Sequence, residues 1–280
     1  MSIQWFPGHM TKAMRMMEEN VKIIDAVGYV LDARAPAACF NPEFARLVGN
    51  KPCLFVLNKC DLADEKKVEA WCAYFKNNGL PFVKTSAVAS AEASKITAAL
   101  ENLTKPLREK MQQKGVFKPT RCMILGVPNC GKSTIINCLS GRKTVITGDK
   151  PGVTKGKQWV RLKSGLELLD TPGTLWPKFD DENVGYELCF IGSIKDDVVD
   201  ILDVSQNLLQ RLAQLYPNCL NSRYKVDVNG KSAQQIFEEI AAKRGFLQRG
   251  GEIDSERCAK AILDDFRKGK IGKITLDMPL

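Results

Sequence analysis

The stretch Gly126-Val127-Pro128-Asn129-Cys130-Gly131-Lys132-Ser133 has the form G-x-x-x-x-G-K-[ST] and lies near the middle of the chain, after the motifs that ought to follow it. Asn58-Lys59-Cys60-Asp61 and Thr85-Ser86-Ala87 both precede it. A phosphate loop of this kind ordinarily opens its domain, and base-reading motifs of the N-K-x-D and S-A type close it. Here the parts are complete but start at a different point on the circle, which constrains both the sheet and where any further domain can attach.

The context of each motif supports its chemistry. Cys122-Met123-Ile124-Leu125 reads as a strand and Thr134-Ile135-Ile136-Asn137-Cys138-Leu139 as a helix, so the glycine-rich turn would present backbone N–H groups and a helix N-terminus to phosphates. Cys130, Gly131 and Thr134 would contribute backbone, Lys132 would reach the β- and γ-phosphates, and the Ser133 hydroxyl would bind Mg²⁺. Asp170-Thr171-Pro172-Gly173 ends a further strand: its carboxylate would hold Mg²⁺ through water, and the Gly173 N–H would sense the γ-phosphate. Thr154, between the two, is the natural second Mg²⁺ hydroxyl. The Asp61 carboxylate accepts from both guanine N1–H and N2–H₂, which adenine does not offer; Lys59 would pack along the base and the Ser86-Ala87 backbone would read O6. GTP is therefore favoured over ATP, against a P-loop kinase or ATPase.

Six strand-like segments, Gly28-Asp32, Cys53-Leu57, Phe82-Thr85, Arg121-Leu125, Lys157-Leu162 and Leu166-Leu169, alternate with helical stretches. That is the pattern of a mostly parallel α/β sheet. Ser164-Gly165 reads as a hairpin turn, so one edge strand should be antiparallel. Leu100 to Lys114 reads as a helix kinked at Pro106, followed by a connector, Gly115 to Pro119, that joins the old ends of the permuted unit. Beyond about residue 180 the strand pattern stops. Asp196 to Tyr216 reads as an amphipathic helix stopped by Pro217; Ser232-Ala233-Gln234-Gln235 fits a capping box opening a helix that ends at Gly245; a last helix starts at Asp254 or Ser255 and ends at Gly269. The expected division is 1–178 for the permuted P-loop domain and 179–280 for a small all-helical domain.

Bulk properties narrow the class. No apolar run approaches the ~20 residues of a membrane span, and the first residues resemble neither a signal peptide nor a transit peptide, so a cytoplasmic protein without membrane attachment is expected. The 10 cysteines form no C-x-x-C pair and have 1 histidine to join them, which argues against disulfides and zinc. The net charge of +9 is carried by residues 61–180 and the C-terminal end, while 181–216 is acidic, a distribution compatible with a polyanionic partner or with a solvated basic surface.

These motifs, with Trp5-Phe6-Pro7-Gly8-His9-Met10, Leu31-Asp32-Ala33-Arg34-Ala35-Pro36 and the helical tail, resemble the circularly permuted GTPases of the YlqF type over nearly the whole chain. The resemblance implies a late step of large ribosomal subunit maturation, with the precursor particle and rRNA as partners, GTP hydrolysis tied to release, and RNA binding mainly through residues 179–280. It implies slow hydrolysis alone, stimulated by the particle. Asn129 occupies the loop position that resembles potassium-dependent GTPases, where it would help hold K⁺ beside the phosphates and assist catalysis. Thr174 stands where a water-orienting Gln often follows D-x-x-G, and it is too short for that work; His9 is the candidate that would orient water instead, unless Trp5 to Met10 is structural. Asp32-Ala33-Arg34 is expected to fix its loop without a catalytic role. The missing Gln leaves a non-enzymatic alternative, an RNA-binding module that uses GTP as a structural ligand. A monomer is expected, with the helical domain oriented by contacts of residues 170–176 with the γ-phosphate.

Overall fold

The computed structural model describes residues 5–86, 91–141, 145 and 158–279. Six strands, β1 (Ala26–Asp32), β2 (Cys53–Asn58), β3 (Phe82–Lys84), β4 (Arg121–Leu125), β5 (Gln158–Arg161) and β6 (Glu167–Asp170), form one sheet in the order β3-β2-β1-β4-β6-β5. All neighbours are parallel except β5 and β6, the hairpin at the edge. β1 is buried along its whole length, as a central strand covered on both faces must be. The α/β expectation therefore holds, and the strand bounds differ from the sequence reading by a residue or two at the ends. The register sets Asp32 beside Asn58 and Ile124 beside Asp170. The motifs at Asn58–Asp61, Ser86, Gly126–Ser133 and Asp170–Gly173 thus leave the carboxyl ends of adjacent strands, the place where open α/β sheets bind ligands.

Around the sheet lie α1 (Gly8–Val21), α2 (Pro42–Val48), α3 (Glu65–Asn77), α4 (Ala91–Gln113) and α5 (Lys132–Ser140). α4 begins well before Leu100 and runs through Pro106 as one helix. Asp64 caps α3, its side chain accepting from the N–H groups of Lys66 and Lys67, so this helix starts directly after the Asn58–Asp61 motif. Under β1, β2 and β3, Tyr29, Phe55, Phe75 and Phe82 stack with successive ring centroids 5.3–5.8 Å apart. Met10, Ala13 and Met17 of α1 are buried, as is Ile24 just after it.

The C-terminal part is helical: α6 (Glu182–Phe190), α7 (Ile201–Leu215), α8 (Pro217–Tyr224), α9 (Ala233–Arg244) and α10 (Ser255–Arg267). α7 starts later than the amphipathic pattern suggested, because the Asp200 side chain accepts from the N–H groups of Leu202 and Asp203 and fixes the start there. Pro217 ends α7 and opens α8, a position where its missing N–H costs nothing. The Ser232–Gln235 capping box forms as expected. α7 packs against α6, α8, α9 and α10.

Buried side chains of the sheet and of the helices form one continuous core. The segment after α10 returns to the sheet: Ile274 N–H donates to Leu62 O (3.0 Å), Leu276 N–H donates to Arg34 O (2.7 Å), and Asp277 Oδ2 accepts from Ala37 N–H (2.7 Å). Buried Thr275 joins both loops, donating to Ala33 O (2.9 Å) and accepting from Asp64 N–H (3.2 Å).

Thr275→Ala leaves the buried Ala33 O and the partly buried Asp64 N–H without this partner and should cost about 1–3 kcal/mol in urea unfolding. Glu187 on α6 is pushed up to about 8 by burial and by the Asp277 carboxyl, against the pull of Arg211 at 3.8 Å. Its folded value lies above its unfolded one, so the folded state holds the extra proton between them. Stability should fall as pH rises from the ordinary carboxyl range to about 8 and then level off. In Glu187→Gln that decline should be shallower, and an unchanged pH slope in denaturant titrations would refute the assignment.

Candidate nucleotide site

At the mouth of β4 the chain turns through Gly126 to Gly131 and enters α5 at Lys132. Asn58, at the end of β2, donates its side-chain amide to Cys130 O at 2.8 Å. A Cβ on Gly131 would lie 2.2 Å from Asn58 Nδ2 and φ there is 102, so a side chain would be strained and would displace the Asn58 amide. Lys59 takes the left-handed conformation (φ 61) and sends its ammonium to Asn129 O at 2.6 Å. The same ammonium pairs with Asp32 Oδ2 at 2.9 Å. The two motifs, some seventy residues apart in sequence, therefore meet directly.

Asp32, at the end of β1, is fully buried and also accepts from Arg34 Nε (2.9 Å), Nη2 (2.7 Å) and backbone N–H (3.1 Å). Burial alone would raise its carboxyl, but the charges of Arg34 and Lys59 outweigh that and hold it well below the usual carboxylate range. The sequence placed Asp32 and Arg34 in loop fixation, and they do fix the loop. The pairing with Lys59 was missed, although charges at the ends of two adjacent strands were its available signal.

Cys60 N–H donates to Thr85 O at 3.2 Å, which brings Ser86 beside the short turn holding Asp61. Ala87 and Thr154 lie outside the described residues. Burial pushes the Cys60 thiol up to about 12 and raises Cys130 as well, so both stay protonated and behave as small apolar groups. All ten cysteines are free thiols.

Lys132 is buried, its ammonium donating to Val127 O (2.8 Å) and Gly126 O (3.1 Å) within its own loop. Ser133, at the first turn of α5, donates its hydroxyl to Asp170 Oδ2 at 3.1 Å; Thr134 follows on the same turn. The Thr171 hydroxyl donates to Ile124 O at 2.6 Å, anchoring the segment after β6 to β4. Gly173 then passes over the phosphate loop so closely that a Cβ would lie 2.5 Å from Pro128 Cα and 2.9 Å from Lys132 Nζ. Thr174 is buried, with its hydroxyl toward Met14 Sδ at 3.5 Å, and Leu175 N–H points at Met10 Sδ at 3.5 Å. α1 therefore packs on the segment following Gly173. His9 lies exposed on that helix, edge-on to Trp5 with ring centroids 6.2 Å apart. Asn129 (φ 58) donates its side-chain amide to Gly192 O at 2.6 Å, and Ser193 donates its hydroxyl to Pro128 O at 2.7 Å. No motif announces Gly192 or Ser193, and sequence reading missed both.

Among the described residues no helix is long and apolar enough to cross a membrane, and no cluster of three or more His, Cys, Asp or Glu side chains is arranged to hold a metal. What the site offers is a hydroxyl–carboxylate pair, an ammonium and backbone amides at one end, and a carboxylate beside two strand ends at the other.

A family model described as 50S ribosome-binding GTPase matches residues 121–229. Ribosome biogenesis GTPase A of Priestia megaterium is 42% identical over 281 residues, covering 100% of this chain and 98% of that relative. Its namesake in Thermotoga maritima is 31% identical over 279 residues, covering 99% of this chain and 95% of the relative. The solved structure of GNP-bound YlqF from T. maritima superposes with a TM-score of 0.68 at 28% identity, covering 96% of this chain and 98% of that one. A GDP-bound YlqF structure gives 0.68 at 27% identity, covering 94% and 98%. With motifs, permuted strand order and full-length similarity in agreement, the chain belongs to the ribosome biogenesis GTPase A family of YlqF-type, circularly permuted GTPases.

Proposed function

We propose that this protein binds and hydrolyses GTP at a late step of large ribosomal subunit maturation, holding the precursor particle through rRNA in the GTP state and leaving after hydrolysis. The observation that carries this reading is the direct junction of the two motifs, Asn58 to Cys130 O and Lys59 to Asn129 O, which sets the guanine-reading turn beside the phosphate loop. Asp61, Lys59 and the Ser86-Ala87 backbone read guanine. The loop N–H groups of Asn129 to Thr134 and the Lys132 ammonium bind the phosphates, and Gly173 senses the last of them.

The Ser133 hydroxyl and Asp170 carboxylate are hard oxygen donors already within hydrogen-bond reach, a pair that suits Mg²⁺. Thr154 is the proposed second hydroxyl. When bound, Mg²⁺ neutralises charge on the β- and γ-phosphate oxygens. The Asn129 amide oxygen is the candidate ligand for K⁺. Lys132, released from its own loop carbonyls, moves onto the phosphates. Thr174 is turned into the α1 contact and cannot orient water, so that task falls to His9, carried on the helix packed against Leu175. Residues 179–280 form the RNA-facing domain, and loss of the Gly173 contact on hydrolysis re-seats it. The protein works as a cytoplasmic monomer, slowly alone and faster on the particle. Burial of Thr174 also favours the second reading, GTP as a structural ligand with little turnover.

In Asp61→Asn the guanine loses a charged acceptor for two hydrogen bonds. Calorimetry should show GDP bound about 100-fold more weakly with ADP binding unchanged; equal preference for the two purines in the unaltered protein would end the reading. Hydrolysis should rise when large-subunit particles are added in K⁺ but much less in Na⁺, and His9→Ala should lose at least about tenfold of the stimulated rate with GTP affinity intact. Absence of turnover under every condition would favour the structural-ligand alternative.

A further inference from the structure

The helical part of the molecule holds the phosphate loop from outside. α6 ends at Phe190, and the turn that follows, residues 191–194, lies against Pro128 and Asn129. Gly192 O accepts from Asn129 Nδ2 at 2.6 Å, and the fully buried Ser193 donates its hydroxyl to Pro128 O at 2.7 Å. A carbonyl only accepts, so the nitrogen of the Asn129 amide must face Gly192 and its oxygen must face the other way. The turn is itself braced. Arg267 of α10 donates to Phe190 O (3.1 Å) and Cys189 O (2.7 Å), the last carbonyls of α6, and its guanidinium pairs with Asp196 at 2.7 and 2.8 Å. Arg34 donates to Arg267 O at 3.1 Å and is joined through Asp32 to Lys59, whose ammonium returns to Asn129 O. The circuit is closed: one loop residue is held by its backbone carbonyl from the base-reading side and by its side chain from the helical side.

We propose that Ser193 is a positioning residue for the phosphate loop, and that the turn 191–194, braced by Arg267, sets how Asn129 presents its amide oxygen to a monovalent cation beside the phosphates. The inference rests on the GTP-binding reading and adds the regulation of that site. Coupling of this kind is reciprocal: whatever the seated turn contributes to cation and nucleotide affinity, bound cation and nucleotide contribute to the seating of the turn. An open cleft of about 1120 Å³, lined by Lys59, Asn129, Ile191, Gly192, Asp196 and Arg267, lies where the turn meets the loop. The helical part then reports the state of the phosphate loop through two hydrogen bonds rather than only through the chain that leaves Gly173.

The test is Ser193→Ala in the full chain, with calorimetric affinity for GDP and a GTP analogue, the half-saturating K⁺ concentration for hydrolysis, and thermal unfolding without nucleotide. Nucleotide affinity in K⁺ is expected to fall, and the half-saturating K⁺ to rise, by on the order of tenfold. Combining Ser193→Ala with Asn129→Ala should cost less than the product of the single losses, because both act on one loop. Arg267→Lys keeps the charge but loses the fork onto Phe190 and Cys189, so it should move the same two quantities in the same direction; it decides the matter if Ser193→Ala does not fold. A folded variant whose unfolding midpoint drops while affinity and half-saturating K⁺ stay within about twofold of the wild-type values overturns the proposal, since that is the behaviour of a merely structural contact. Failure of the wild-type chain to bind guanine nucleotides defeats the underlying reading, and this inference with it.

Discussion

One ammonium group, that of Lys59, joins three strand ends. It lies between the Asp32 carboxylate at the end of β1 and the Asn129 carbonyl in the loop after β4, and it is carried on the end of β2. Its left-handed backbone costs about 1–2 kcal/mol, and each hydrogen bond to a charged group returns about 1.5–3 kcal/mol. With both partners in place the return clearly exceeds the cost; with one, the two are comparable. Asp32 depends on it in turn: a fully buried carboxylate is stable as an ion because two cations face it. Remove the lysine and Arg34 alone must hold both the carboxylate and the link to Arg267 O.

That junction makes chain order irrelevant to the site. A parallel sheet needs only that β2, β1, β4 and β6 lie side by side with their carboxyl ends together. The order in which the chain visits them affects the connections, and here α4 and residues 114–120 carry the chain from β3 at one edge back to β4 in the middle. After β6 every central position is filled, so the chain is free to build helices over the sites it has just completed. α6 and its following turn use that freedom to reach the phosphate loop, and residues 274–277 use it to clasp the loops after β1 and β2.

Much of this could be read from residue types because the signals were local. The strand–glycine–helix succession around Lys132, the Ser232–Gln235 capping box and the Ser164-Gly165 hairpin each depend on neighbours a few positions away. The start of α7 was misplaced because apolar periodicity extends through Val198, whereas the Asp200 side chain captures the helical N–H groups and sets the boundary. Contacts that join distant segments through single polar groups were not legible. Ser193 to Pro128 O and Thr275 to Ala33 O span 65 and 242 residues, and a lone serine or threonine announces neither. Thr174 is intermediate. Its inability to replace glutamine was evident from its length, but that it packs on Met14 was not.

The permuted order also changes what a growing polypeptide exposes. β1 is one of the two central strands, yet it is synthesised before the other strands, and its partner β4 follows only after β2, β3 and the whole of α4. Until Arg121 to Leu125 emerge, the flank of β1 that will bond them is an open, apolar edge of the sort that recruits stray strands from other chains. A GTPase built in the ordinary direction would have its phosphate-loop strand ready at that stage. For this one, the interval between the second and fourth strands is the vulnerable stretch of translation, and a shielding chaperone would matter most there.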